Sequence, residues 1–254
     1  MKNTAACVVL GLGLLSAGGM ASAIQYSWNL NTTGTSGLGD SLNFGSSPTG
    51  KTLKVYAFET DYSDGSGKLE DARVVADGSW GLGVRGSGES DWPDNYTLDN
   101  SGKDQVLVFD SQMANFDWSS LDLGYIYSGD KLTYWAGDGG TGFDVGDFND
   151  FCLRSTCSSG TVLGAAGSGF TSSTVLGLAS SMSLTGNNSG RYLVVSGQLP
   201  SSNGFEKFKV SSAGGYGQAP EPQSLALIGI GLLAMLGLRR RSSITRGRTE
   251  PTPA

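Results

Sequence analysis

Period-two alternation is the feature of this sequence that most restricts its fold. Residues 53–58 (LKVYAF), 105–109 (QVLVF), 121–127 (LDLGYIY), 131–135 (KLTYW), 174–178 (TVLGL) and 192–198 (YLVVSGQ) are short runs rich in β-branched and aromatic side chains. In the first run Leu53, Val55 and Ala57 point one way while Lys54, Tyr56 and Phe58 point the other, which is the pattern of a strand. Gly, Ser, Asn and Asp separate the runs, as at Asp64-Gly65, Asn100-Ser101-Gly102 and Asp138-Gly139-Gly140, and these are turn chemistries. Long apolar stripes of period 3.6 are absent from the central part of the chain. The pattern predicts an all-β fold, an antiparallel β-sandwich of jelly-roll type. A β-solenoid is the alternative architecture, but no fixed internal repeat supports it. Three stretches read as less ordered: 31–50, rich in Thr, Ser and Gly; 137–150, acidic and glycine-rich; and 211–219 (SSAGGYGQA), which reads as a flexible linker.

The N-terminus reads as an export signal spanning 1–23. Lys2 supplies a positive charge, residues 5–18 are apolar and uncharged, and Ala21-Ser22-Ala23 supplies the small-x-small pattern a signal peptidase requires. The apolar run is shorter than the ~20 residues of a membrane crossing, which favours cleavage over anchoring. Ile24 is then the mature N-terminus, and 24–210 is the β-sandwich domain. Cys7 precedes the end of the apolar run, which is not the place of a lipoprotein cysteine.

Charge narrows the partners. Of 17 basic residues, Lys2, Arg239, Arg240, Arg241, Arg246 and Arg248 lie outside 24–218, as do Glu221 and Glu250 of the 23 acidic ones. The remainder is 11 basic against 21 acidic side chains, a net charge of −10. Such a surface disfavours nucleic acid and anionic polysaccharide as direct partners. Cys152 and Cys157 remain after export and are placed to close a small disulfide loop in an oxidising compartment. Two cysteines in a chain without histidine are too few for a transition-metal site.

The C-terminal stretch beginning at Ala219 (APEPQSLALIGIGLLAMLGLRRR) has three parts. Pro220-Glu221-Pro222 is a short rigid element, since proline fixes φ and cannot join a helix interior. Residues 224–238 are apolar and uncharged, and Arg239, Arg240 and Arg241 form a basic stop. The positive-inside rule keeps those arginines cytoplasmic and leaves Pro-Glu-Pro at the outer membrane boundary. As a helix the apolar part spans ~22 Å, against ~30 Å of hydrocarbon, so it suits transient inner-membrane insertion better than permanent anchoring. This three-part ending (220–241) resembles the PEP-CTERM signal that exosortases handle in Gram-negative bacteria. Residues 242–254 then form a basic and polar tail on the cytoplasmic side.

A second resemblance covers roughly residues 26–136. Ser27-Trp28-Asn29-Leu30, the Trp80-Gly81-Leu82-Gly83-Val84 segment, Glu89, and 98–104 (LDNSGKD) leading into 106–109 are similar to a family of exosortase-dependent surface proteins. That resemblance implies export and a β fold, and no established enzymatic activity. Asp99 and Asn100 also suit an Asx turn into the next strand. The functional alternative is that Glu89, Asp99, Asn100, Asp104 and Asp130 converge on calcium, which favours hard oxygen ligands. An EF-hand at 61–71 is rejected because the glycine required at its sixth place is missing.

Enzymatic activity is not expected. The chain has no histidine, no Gly-x-Ser-x-Gly elbow and no phosphate-binding loop. Paired carboxylates leave a secreted glycosidase as a distant alternative. Trp92, before Pro93 in an Asp-rich loop, is the better candidate for a surface sugar contact, whereas Tyr134 and Trp135 read as core. The expected role is that of an exported cell-surface or extracellular-matrix protein with a structural, biofilm-associated function. The alternative is a carbohydrate-binding module for extracellular polysaccharide.

Overall fold

Strand β4 (Thr52–Thr60) shows how the molecule is built. Leu53, Val55 and Ala57 are buried in one apolar core, while Phe58 is buried in a second one with Tyr56 packed against it. The strand is therefore covered on both faces. The computed structural model describes residues 23–31, 37–47, 50–60, 67–89, 97–98, 103–126, 129–171, 174–198 and 207–218.

Before β4 come β1 (Ala23–Asn29), β2 (Gly37–Gly39) and β3 (Ser41–Gly45). After it come β5 (Leu69–Ala76), β6 (Leu82–Arg85), β7 (Gln105–Asp110), β8 (Asp117–Ile126) and β9 (Lys131–Gly137). The short β10 (Phe151–Cys152) and β11 (Thr161–Val162) follow, then β12 (Thr174–Gly177), β13 (Ser181–Ser183), β14 (Tyr192–Gly197) and β15 (Phe208–Gln218). Among the described residues, thirteen strands join in one hydrogen-bonded sheet whose main path is β12-β9-β14-β7-β4-β5-β6-β15-β8-β13. The sheet folds over at β5. Residues 69–72 pair with β4, and residues 73–76 pair with β6. One leaf runs from β12 to β4 and the other from β6 to β13, and consecutive strands cross repeatedly between them. The pairings along this path are antiparallel. The all-β, antiparallel sandwich expected from the alternation is the fold observed.

The first core fills the space between the leaves. Leu107, Phe109, Leu132, Tyr134, Leu193 and Val195 of one leaf meet Val74, Leu82, Val84, Leu121, Val210 and Ala213 of the other. At one end Trp28, Phe116 and Trp118 pack ring to ring, at 4.7 Å between Phe116 and Trp118. The buried indoles keep their N–H groups satisfied: Trp28 Nε1 donates to Lys51 O and Trp118 Nε1 to Gly190 O, both at 3.0 Å.

The second core lies on the opposite face of the β9–β14–β7–β4 leaf. Val106, Val108, Trp135, Tyr192 and Val194 present that face, and Phe148, Phe151, Leu153, Leu163 and Phe170 cover it. The cover comes from the connection between β9 and β12. Its centre is a 3-10 helix, Val145–Asp150, opened by a capping box: Asp144 accepts from Gly146 N–H at 2.7 Å and Asp147 accepts from Asp144 N–H at 2.8 Å. The stretch 137–150, read from composition as a loose acidic loop, is thus a lid over buried sheet. Its acids cap and face solvent while its phenylalanines pack inward.

The sequence reading of 31–50 as loosely ordered also changes, since β2 and β3 lie within it. The larger correction concerns 211–219. This stretch is no flexible linker, because its residues through Gln218 belong to β15, which pairs with β6, β8 and β1. Its small residues serve close approach. A Cβ on Gly215 would sit 2.2 Å from Asp117 O and 2.5 Å from the Phe116 ring.

Phe148 is fully buried and touches Phe58, Phe143, Phe151, Phe170 and Tyr192. Phe148→Ala should therefore lower unfolding stability by about 3–5 kcal/mol, read from urea denaturation. A loss under about 1 kcal/mol would show that the lid does not belong to the cooperative core.

Candidate functional site

Of the residues singled out in the sequence between Trp80 and Gln105, the described ones lie near the junction of the two leaves. Leu82, Gly83 and Val84 form β6 against β5. The chain then turns at 86–89, and Glu89 folds back to close the turn. Its Oε2 accepts from Gly86 N–H at 2.9 Å and its Oε1 from Gln105 Nε2 at 2.8 Å.

A second carboxylate lies beneath this turn. Glu59, at the end of β4, is 1% exposed. Its Oε1 accepts from Ser87 N–H at 2.8 Å and from Lys103 Nζ at 2.7 Å, while Oε2 has no hydrogen-bond partner. Burial pushes the Glu89 carboxyl above its usual range, the Gly86 and Gln105 hydrogen bonds oppose the shift, and nearby Glu59 adds to it.

The proposed calcium ligands do not come together among the described residues. Asp104 is fully buried in a fork with Arg154, at 2.7 Å to Nε and 2.6 Å to Nη2. Asp130 accepts from Lys207 N–H at 3.0 Å. Glu89 is engaged as above, so these three carboxylates serve three separate contacts. Among the described residues no group of three acids, cysteines or histidines is placed to hold a metal ion. Asp99 and Asn100 lie outside the described residues, as do Trp92, Ala21, Pro220, Glu221, Pro222, Arg239, Arg240 and Arg241. Ala23 is exposed at the start of β1. Cys152 and Cys157 are joined as a disulfide with Cα atoms 6.1 Å apart, within the lid.

The described residues also enclose a concave surface that the sequence reading did not single out. A cavity of about 180 Å³ is lined by Asp77, Trp80, Thr97, Tyr125 and Lys209. Trp80 ends a 3-10 turn, Gly78–Trp80, and is 52% exposed. Tyr125 of β8 stands edge-on to it, with ring centroids 6.2 Å apart and planes at 86°. Lys209 of β15 is 4% exposed, forms an ion pair with Asp77, and lies 5.9 Å from the Tyr125 ring centre. Thr97 is 1% exposed and its hydroxyl has no partner. The sequence held a signal for this site: Trp80 stands among turn residues, Asp77-Gly78-Ser79 and Gly81, and not within a strand. The same logic had been applied only to Trp92.

The C-terminus carries a match to a known family. Residues 218–241 match the family model of the PEP-CTERM protein-sorting motif. The chain carries a PEP-CTERM sorting signal. No curated protein and no solved structure matches it. The signal marks an exported protein directed to exosortase-type machinery, and it begins at Gln218, where β15 ends. Among the described residues no helix is long and apolar enough to cross a membrane, and the apolar stretch 224–238 lies outside them.

Two outcomes are expected. A carboxyl held above its usual range binds its proton more tightly folded than unfolded, so stability falls as pH rises from the ordinary Glu range through the folded-state value. Glu89→Gln removes that loss, and thermal melts should show the variant gaining on the wild type at pH 7 but not at pH 4. A difference independent of pH would refute the burial account. Reduction of the disulfide, which closes a loop between residues only five apart, should lower stability by no more than about 2 kcal/mol in urea denaturation. A loss of twice that would mean that the pair holds more than its own loop.

Proposed function

We propose that this chain is a structural, non-catalytic component of the cell surface or extracellular matrix of a Gram-negative bacterium, with extracellular polysaccharide as its partner. The observation carrying the proposal is the PEP-CTERM motif at 218–241, placed directly after the last strand of an all-β domain. Signal peptidase removes 1–23, and residues 224–238 hold the exported domain transiently in the inner membrane. Exosortase then acts at Pro220-Glu221-Pro222 and frees the domain from its basic tail. The short apolar stretch, interrupted by Gly229, Gly231 and Gly237, suits a segment that is recognised and removed. The absence of histidine and of nucleophile motifs supports a non-enzymatic role.

Mass spectrometry of the surface-located protein tests this reading. The mature form is expected to begin at Ile24 and to lack everything beyond the Pro-Glu-Pro element. Recovery of Arg239, Arg240 and Arg241 in the mature surface form would overturn processing.

A further inference from the structure

We propose that the cavity between Trp80 and Tyr125 binds a single neutral pyranose unit of a polysaccharide. The inference deepens the surface-matrix reading by naming the site and the chemical class of its ligand, and it rests on that reading only for where the ligand is met.

The aromatic pair is fixed in position. The turn carrying Trp80 is closed by Trp80 N–H donating to Asp77 O and Asp77 N–H donating to Gly81 O, both at 2.9 Å. Two glycines let this turn lie hard against the leaf. A Cβ on Gly81 would sit 2.3 Å from Val210 O, and one on Gly124 would sit 2.2 Å from Trp80 O. The half-exposed indole is thus held against β8 and β15 by its own backbone. A large apolar ring kept at the surface on a rigid support is pre-organised for a ligand.

The rim of the cavity is polar. Thr97 lines the cavity, and its buried hydroxyl has no partner, an unfavourable state. Leu98 N–H donates to Phe208 O at 2.8 Å and fixes the neighbouring backbone. Asp77 and Lys209 offer an acceptor and a donor that neutralise each other, so the rim carries no net charge. A pyranose matches both features, since its C–H face packs on an aromatic ring while its equatorial hydroxyls reach donors and acceptors at the edge.

Size and charge restrict the ligand further. A cavity of about 180 Å³ is smaller than the ~300 Å³ at which drug-sized pockets begin, which suits one sugar ring. The domain's net charge of −10 disfavours uronic acids and other anionic sugars. Affinity per site is weak, and many copies on one polymer would supply avidity.

Affinity electrophoresis of the full chain through gels containing dextran, mannan, galactan or hydroxyethyl cellulose tests the proposal, with alginate and poly-L-proline as contrasting probes. At least one neutral glycan should retard the protein. Trp80→Ala should weaken that retardation by about tenfold or more and Thr97→Val by about threefold, while Tyr216→Ala, at an exposed aromatic outside the cavity, leaves it unchanged. The retarding glycan should also protect Trp80 of the unaltered chain from N-bromosuccinimide oxidation, mapped by peptide mass spectrometry. This readout stands even where a variant fails to fold. No retardation by any neutral glycan, retardation indifferent to Trp80 and Thr97, or binding of only alginate or poly-L-proline would overturn the assignment. None of these failures bears on the processing measured at the chain's ends.

Discussion

Burial of the β9–β14–β7–β4 leaf on both of its faces is the constraint on which the rest of the structure depends. Along β7 and β14 every residue is buried, with odd and even positions feeding different cores. A sheet of this kind has no solvent face, so each side requires its own cover. The opposite leaf supplies one cover and the β9–β12 connection supplies the other. That connection needs no long helix. One capped 3-10 turn, the parallel β10–β11 pair and a disulfide are enough to hold five apolar side chains onto the sheet.

Two-sided burial leaves no water for charges at the strand ends, and the ion pairs follow from that. Asp104 and Asp110 flank β7 and are 0% and 1% exposed. Each is gripped by an arginine fork, Arg154 from the lid on Asp104 and Arg191 from the approach to β14 on Asp110. Glu59 takes Lys103 and Asp77 takes Lys209. A lone buried carboxylate is strongly unfavourable, whereas a forked pair is tolerated and fixes geometry. Much of the domain's scarce basic charge is therefore spent internally. The acids that remain at the surface give the net −10.

This division explains what was legible in the sequence. The alternation at 53–58 assigned opposite faces to Leu53-Val55-Ala57 and Tyr56-Phe58, and both assignments match the two cores. Local periodicity reports which face a side chain takes, and that is a property of the strand alone. Composition was a poorer guide. The Gly and Ser content of 211–219 stands equally for a mobile chain and for a strand whose neighbours press against it, and only the positions of Phe116 and Tyr26 decide between them. Glu59 escaped notice because glutamate is seldom buried. Its burial depends on Ser87 and Lys103, which lie 28 and 44 residues away. The Trp80 cavity was missed for the same reason, since its lining comes from four separate segments.

The first and last strands of the domain lie side by side. Strand β1 pairs with β15, and Leu30 N–H donates to Ser211 O while the Tyr26 ring lies against Gly217. The start of the first strand therefore runs beside the end of the last one. The PEP-CTERM motif follows that end in the sequence. Only Gln218 and Ala219 separate Gly217 from Pro220, so the Pro-Glu-Pro element follows within three residues a strand held by β1, β6 and β8. The sandwich closes only when β15 is in place, because it is the strand that links β6 to β8.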